Sequence, residues 1–482
     1  MALQVTQRGR LISRLAIATC AAAITAGCVA DPPAPEVIRK QALGHLALDH
    51  PWKAGVTAEG TVQDNWLASF GDSTLDALVR EALVANPDLR VAGSRMRQAG
   101  ELLVQARAPL FPWVGVAGTG GVKESGGGAD TSSALQGIVA AASWELDLWG
   151  RVRYGRNAAA EENVSAQADY EFARQSIAAG VARAWFTAIL LSEQARLTAQ
   201  MVASSDELAN FASDRERVGA GSNVDTANAR ANAYNLEDAL AQTEYARDQA
   251  LRALEVLLGR YPGAEIATRT DFVAMPPAPP VGVPLAMLER RPDVIAAERR
   301  VAAAFNRIGQ AKAAMLPQIT LNLNFGAFES DILELKEDFE NPSGGAGARL
   351  LAPIYQGGQL RANVRIRTLQ QEEALADYAG IALRALSDVE NALAAGRSLA
   401  ARTRALGAAY GEQQRALELT ETSLRVGRSD RRALEQQRLA AANARIALLA
   451  VQAEELAQRV NLHLALGGSF ETPPQPPPPP PQ

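Results

Sequence analysis

The sequence predicts an α+β membrane protein in which strands from several copies of the chain pool into one β-barrel, continued by a long α-helical coiled-coil tube. Three observations predict it. The chain is written twice, and each half carries short segments of period-two hydrophobicity. Each half then enters a proline-free helical run far longer than globular domains use.

The internal repeat orders everything else. Asn86-Pro87-Asp88-Leu89 returns as Arg291-Pro292-Asp293-Val294 at an offset of 205, and Ala106 to Pro112 returns as Ala311 to Pro317 at the same offset. Arg217-Val218-Gly219 returns as Arg425-Val426-Gly427, and Leu258-Gly259 as Leu466-Gly467, both at 208. The organisation expected is a signal peptide over 1–27 and a lipidated N-terminal linker over 28–64. A first repeat follows over 65–261, then a Pro-rich linker over 262–284 and a second repeat over 285–468. A Pro-rich, disordered tail covers 469–482.

Within each half a helical stretch comes first, about Thr74 to Ala108 and Leu285 to Ala314. A period-two segment follows. Ile319, Leu321, Leu323 and Phe325 alternate with Gln318, Thr320, Asn322 and Asn324. A Gly-rich loop is expected at Ser125 to Asp130 and at Asn341 to Gly347, each leading into a return strand. In the first return strand Trp144, Leu146 and Leu148 share one face, and Ser143, Glu145 and Asp147 the other. One apolar and one polar face suit a strand between lipid and water. The proline-free runs Gly155 to Val218 and Gln359 to Val426 then predict helices about 95–100 Å long. Each turns at a Val-Gly and runs back. A seam of small and apolar residues (Ile177, Val181, Ala184, Ala188 and Leu191; Leu439, Ala442, Ile446, Leu449, Ala453, Leu456 and Val460) permits close helix pairing.

Composition agrees. Aromatics are only 5% and mean hydropathy is −0.08, as in long-helix proteins. The net charge of −5 argues against a nucleic-acid partner. Arg8, Arg10 and Arg14 precede an uncharged run from Leu15 to Ala30, too short to span a bilayer comfortably, so it reads as an export signal. That signal ends Ile24-Thr25-Ala26-Gly27-Cys28, which resembles a bacterial lipobox with Thr25 as its one departure. Cys28 is then the lipidation site, and its covalent lipid is the only cofactor-like group expected. Two acyl chains give stable membrane attachment. Val29 after Cys28, where an inner-membrane retention signal would place Asp, points to outer-membrane sorting. Cys20 lies inside the signal, so no disulfide or metal-binding cysteine pair is available.

Two strands per half make four per chain, and four cannot close a membrane barrel. Single-chain barrels begin at about eight strands, because every edge must be paired. The chain must pool strands with copies of itself. Two copies would supply eight strands and three would supply twelve; strand number alone does not choose.

At this point the motifs resemble those of the TolC/NodT family of outer-membrane efflux proteins. They are Trp66-Leu67-Ala68-Ser69-Phe70-Gly71-Asp72 with Leu75 and Leu78, Asn86-Pro87-Asp88-Leu89, Ser143 to Arg151, Arg290-Arg291-Pro292-Asp293 with Ala297 to Arg300, and Pro353 to Gly358. They occur in order over about residues 60–467. The resemblance implies a homotrimer with a twelve-stranded barrel in outer-membrane lipid and a periplasmic tunnel closed at its tip. It implies two partners, a periplasmic adaptor (membrane fusion protein) and an inner-membrane resistance-nodulation-division transporter. The chain would conduct drugs or other small toxic compounds passively, without enzymatic chemistry.

The resemblance places adaptor contacts at the hairpin tips Val218, Gly219, Val426 and Gly427, and gate contacts after the first tip at Asp225, with Asn228 and Arg230 also matching. The second tip departs from the pattern, reading Asp430-Arg431-Arg432-Ala433-Leu434-Glu435-Gln436-Gln437-Arg438. Aligned without a gap, the acid that would ring the aperture falls on Gln436; with a one-residue deletion it falls on Glu435, the assignment favoured here. Arg428, Arg431 and Arg432 beside it could instead make the aperture basic or salt-bridged.

Other readings compete. The same fold could serve type I secretion or metal efflux. A coiled-coil lipoprotein scaffold without a pore would have no use for polar strand faces. An enzyme finds no support: His45, His50 and His463 are scattered, and no phosphate-binding loop, zinc-binding pair or nucleophile elbow occurs.

Overall fold

A computed structural model describes residues 29–54, 60, 62, 64–119, 136–329 and 343–471. Nine α-helices and four strands are present among them. In chain order the helices are α1 (Pro35–Leu43), α2 (Ser73–Ala85), α3 (Pro87–Arg107), α4 (Arg151–Arg217), α5 (Asn223–Leu257), α6 (Pro284–Leu288), α7 (Pro292–Ala313), α8 (Gln359–Arg425) and α9 (Arg431–Ala465). The strands are β1 (Trp113–Thr119) and β2 (Gln136–Leu146) before α4, and β3 (Gln318–Glu329) and β4 (Ser343–Leu351) before α8. The two halves repeat closely: α4 and α8 have 67 residues each, and α5 and α9 have 35 each. None of the described helices is long and apolar enough to cross a membrane.

The chain forms two compact units, each drawing on both repeats. The first combines the residues up to Gly44 with Arg95–Gln167 and Ala296–Ala379. Its four strands make one antiparallel sheet in the order β1-β2-β3-β4. The central β2–β3 ladder therefore joins the repeats, pairing Ile138 with Ala327 and Leu146 with Ile319. In the same unit the start of α4 lies on α7 through small residues. A Cβ on Gly309 would come within 2.5 Å of the Tyr154 ring, and one on Gly155 within 2.7 Å of Gln310 Nε2.

The second unit combines His45–Ser94, Ala168–Ile295 and the chain from Gly380 onward. Its core gathers Trp66, Phe70, Leu75, Val79, Trp185 and Leu254, with Leu456, Val460 and Phe470 from the second half. Asp72 explains the first motif. It is buried, its Oδ1 accepts the Thr74 and Leu75 amides to cap α2, and its Oδ2 accepts Trp185 Nε1–H at 2.9 Å. Gly71, at φ +60°, makes the turn before it.

The second unit also shows what the repeated Pro-Asp motifs do. Asn86 caps α3 by accepting the Leu89 amide, and its Nδ2 donates to the carbonyl of Leu257, the last residue of α5. In the second half Arg291 fills that place. It is buried, it pairs with Asp293 at 2.9 Å and Asp388 at 2.8 Å, and it reaches the carbonyl of Ala465, the last residue of α9, at 3.5 Å. An amide in one half and a guanidinium in the other serve the same helix end. Both helices stop at a left-handed glycine, Gly259 at φ +72° and Gly467 at φ +70°.

Several sequence expectations are corrected. The helical stretch from Thr74 is two helices, divided where Asn86 leaves the helical conformation before Pro87. The stretch from Leu285 is likewise divided into α6 and α7. The second Gly-rich loop is largely strand: Ser343 to Gly347 begin β4 and pair with Gly326 to Asn322. The first, at Ser125 to Asp130, lies outside the described residues. Asp147 and Leu148 follow β2 rather than extend it. The N-terminal linker holds α1, and residues 469–471 of the expected tail belong to the fold, because Phe470 is buried in the core and Glu471 pairs with Arg174 at 2.9 Å.

Candidate functional site

The sheet has two chemically different faces. Register places Val114 and Val116 of β1 with Ile138, Ala140, Ala142 and Trp144 of β2, with Leu321, Leu323 and Phe325 of β3, and with Ala346, Ala348 and Leu350 of β4. The opposite face carries Ser143 and Glu145, Thr320, Asn322 and Asn324, and Arg349. Ser143 Oγ and Asn322 Oδ1 meet there at 3.0 Å. The apolar side chains are exposed rather than packed on a core, as a lipid-facing surface requires. Among the described residues β1 and β4 each pair on one side only, so the sheet has two open edges.

The Ser143 to Arg151 motif is the joint between strand and helix. Glu145 takes a bidentate pair from Arg151, and Asp147 accepts the Val152 and Arg153 amides at 3.0 and 2.8 Å, which covers the start of α4. Trp149 Nε1 donates to the Pro317 carbonyl at 2.6 Å, and Gly150 turns the chain at φ +76°. These residues read as motif in the sequence but act as structure.

The hairpin tips lie in the second unit and are near copies of one another. Gly219 (φ +73°) and Gly427 (φ +72°) close α4 and α8, donating to the carbonyls of Glu216 and Leu424. Ala220 and Arg428 then donate to the carbonyls of Arg215 and Ser423, both at 2.8 Å. Val218 and Val426 stand out at 71% and 62% exposure, although valine on a helical hairpin ordinarily packs.

The expected gate residues separate into different environments. Asp225 completes a capping box with Ser222 at the start of α5, so its carboxylate is used locally. Arg230 is exposed one turn further on. The assignment of the aperture acid to Glu435 is not supported by its surroundings. Its side chain is only 2% exposed and binds Arg438 at 2.9 Å, because the helical period turns it toward α4 and α8. Gln436, one residue on, is exposed and lines a groove of about 640 Å³ with Asp225, Asn228 and Arg432. Arg431 reaches Glu207 of α4 at 3.9 Å. Cys28 lies outside the described residues; Ala30, two residues on, donates its amide to the Tyr154 hydroxyl at 2.9 Å. Sequence reasoning missed the Gln437–Gln413 bond of 2.6 Å between α9 and α8, which no spacing signal announces.

With this geometry in hand, the model of outer membrane efflux proteins matches residues 78–260 and 283–468, one span on each repeat. The chain belongs to the outer membrane efflux protein family. It is 29% identical to the pyoverdine export outer membrane protein OpmQ of Pseudomonas aeruginosa over 89% of this chain and 93% of that protein. It is also 29% identical to the probable efflux pump outer membrane protein TtgC of Pseudomonas putida, over 85% and 86% of the two chains. The outer-membrane channel OprN has the same fold at 23% identity, with a TM-score of 0.75 over 92% of this chain and all of that one. The open state of the MtrE channel of Neisseria gonorrhoeae scores 0.75 at 25% identity, over 92% and 99% of the two chains. This outer membrane efflux protein is thus an outer-membrane component of an efflux system. Its strands are barrel strands and its paired long helices are those of the family's tunnel.

Proposed function

We propose that three copies of the chain assemble into one exit duct, with twelve strands in the outer membrane and the hairpins reaching into the periplasm. The observation that carries the reading is the four-stranded sheet with one apolar face, one polar face and two open edges. An edge left open in hydrocarbon costs several kcal/mol per unpaired group, and closure on further copies removes that cost. The duct is passive and performs no covalent chemistry. A periplasmic adaptor engages the Val218-Gly219 and Val426-Gly427 tips, whose exposed valines suit an apolar contact, and an inner-membrane transporter of the resistance-nodulation-division class supplies the energy. Cys28 carries the lipid that tethers the chain beside its barrel, and Asp225, Arg230, Arg431 and Gln436 stand nearest the periplasmic aperture. Drugs and other small toxic compounds are the cargo class, in keeping with relatives named for antibiotic and toluene efflux.

The test is single-channel recording of the purified protein in a planar bilayer. Discrete conductance steps that require the intact sheet are expected. Protein that binds bilayers but never conducts, with or without deletion of the hairpin tips, contradicts the duct.

A further inference from the structure

The internal repeat supplies its own control for the second tip. Backbone geometry is shared, since the same left-handed glycine and the same two hydrogen bonds close both hairpins. The charge is not shared. At an offset of 208, Ala220, Asn223 and Val224 of the first tip correspond to Arg428, Arg431 and Arg432 of the second. Over 214–224 two acids and two arginines cancel; over 422–432 four arginines face one aspartate, a formal charge of +3. Asp430 spends its carboxylate on the Ala433 amide as the cap of α9. All four arginines are exposed, and among the described residues no carboxylate lies within 4 Å of Arg425, Arg428 or Arg432. Arg431 alone has one, Glu207 at the outer limit. The first tip, which keeps Arg217 at the place of Arg425, shows that the turn needs none of Arg428, Arg431 and Arg432, so folding does not explain those three.

We propose that Arg425, Arg428, Arg431 and Arg432 form an electropositive rim at the periplasmic mouth of the duct and bias it toward anionic solutes. The inference rests on the oligomeric duct proposed above, in which each copy places its second tip on the same rim. Charges at the mouth of a narrow conduit act on the local concentration of permeating ions, and rings of arginine favour anions. The acids nearby do not reverse the sign. Glu435 is buried against Arg438, Asp225 is held in its capping box, and Asp214 is paired with Arg217 at 2.7 Å. Glu421 lies 3.8 Å from Arg438, and Asp206, Glu207 and Glu216 remain against the four arginines.

The test is the reversal potential of the full chain in a planar bilayer under a KCl gradient. Chloride should permeate ahead of potassium. The variant carrying Arg428→Ala, Arg431→Asn and Arg432→Val, which restores the first tip's residues, should move the reversal potential toward the potassium side. Ala220→Arg, which adds the same charge to the first tip, should move it further toward chloride and covers the case in which the triple variant does not assemble. A potassium-selective wild type, or a reversal potential that ignores both variants, overturns the proposal while leaving a working duct. If selectivity is unmoved but the triple variant loses export in cells, the arginines dock a protein instead and the proposal fails. Absence of any conductance counts against the duct itself.

Discussion

His463 is where a single residue has the clearest energetic consequence. It sits in the last turn of α9, buried, with its ring stacked on Trp66 at 5.8 Å and both ring nitrogens without a hydrogen-bond partner among the described residues. Burial, with help from the Arg459 charge, pulls its pKa down to about 4. The neutral ring is therefore the folded form, whereas the unfolded chain takes up a proton below about 6.5. Stability should be full above that pH and fall as the pH drops toward 4, by up to about 3 kcal/mol. The melting temperature of the helical signal, followed from pH 7 to 4 in wild type and His463→Phe, checks this: the variant should lose most of the slope. The sequence carries the burial of His463 in the helical period of its neighbours Leu456 and Val460. It could not show the Trp66 stack, which joins residues almost four hundred apart. The burial of Glu435 was hidden for a related reason. Spacing from Gly427 fixes a position along the helix, whereas burial depends on which way one further residue turns it.

At the scale of elements the repeat was the most legible feature, because helix length follows from uninterrupted propensity and helix ends from glycine. Four glycines, Gly219, Gly259, Gly427 and Gly467, were readable as two pairs, and all four adopt φ near +70°. They are not equal in cost. A Cβ at Gly427 meets nothing within 4 Å, whereas one at Gly467 lies 3.1 Å from the Arg291 backbone. Gly427→Ala should cost about 1–2 kcal/mol for the left-handed conformation alone. Gly467→Ala should cost more, read as a larger drop in the urea midpoint. What spacing could not reveal was the exchange of Asn86 for Arg291 at the same helix end, since the two side chains share no chemistry beyond donating to a carbonyl. The strands were read correctly in period but not in extent. Asp147 continued the alternation and yet left the strand, because its carboxylate covers the first amides of α4.

The whole molecule is a matter of edges and faces. Leu323 and Asn322 are adjacent, yet register puts them on opposite faces of the sheet. Leu323→Arg should cost about 2–4 kcal/mol if that position faces lipid near the midplane, and should reduce the folded barrel recovered from outer membranes. Asn322→Arg, on the wet face, should be tolerated. Equal damage from both would contradict the assignment of faces. From strand count and closure alone the sequence reached an oligomer but not its number, because two copies and three both exceed the minimum for a closed barrel. The central claim is therefore best tested by native mass spectrometry of the detergent-solubilised full chain that conducts in bilayers. Three chains per particle is the predicted result; a conducting particle of one or two chains would contradict it.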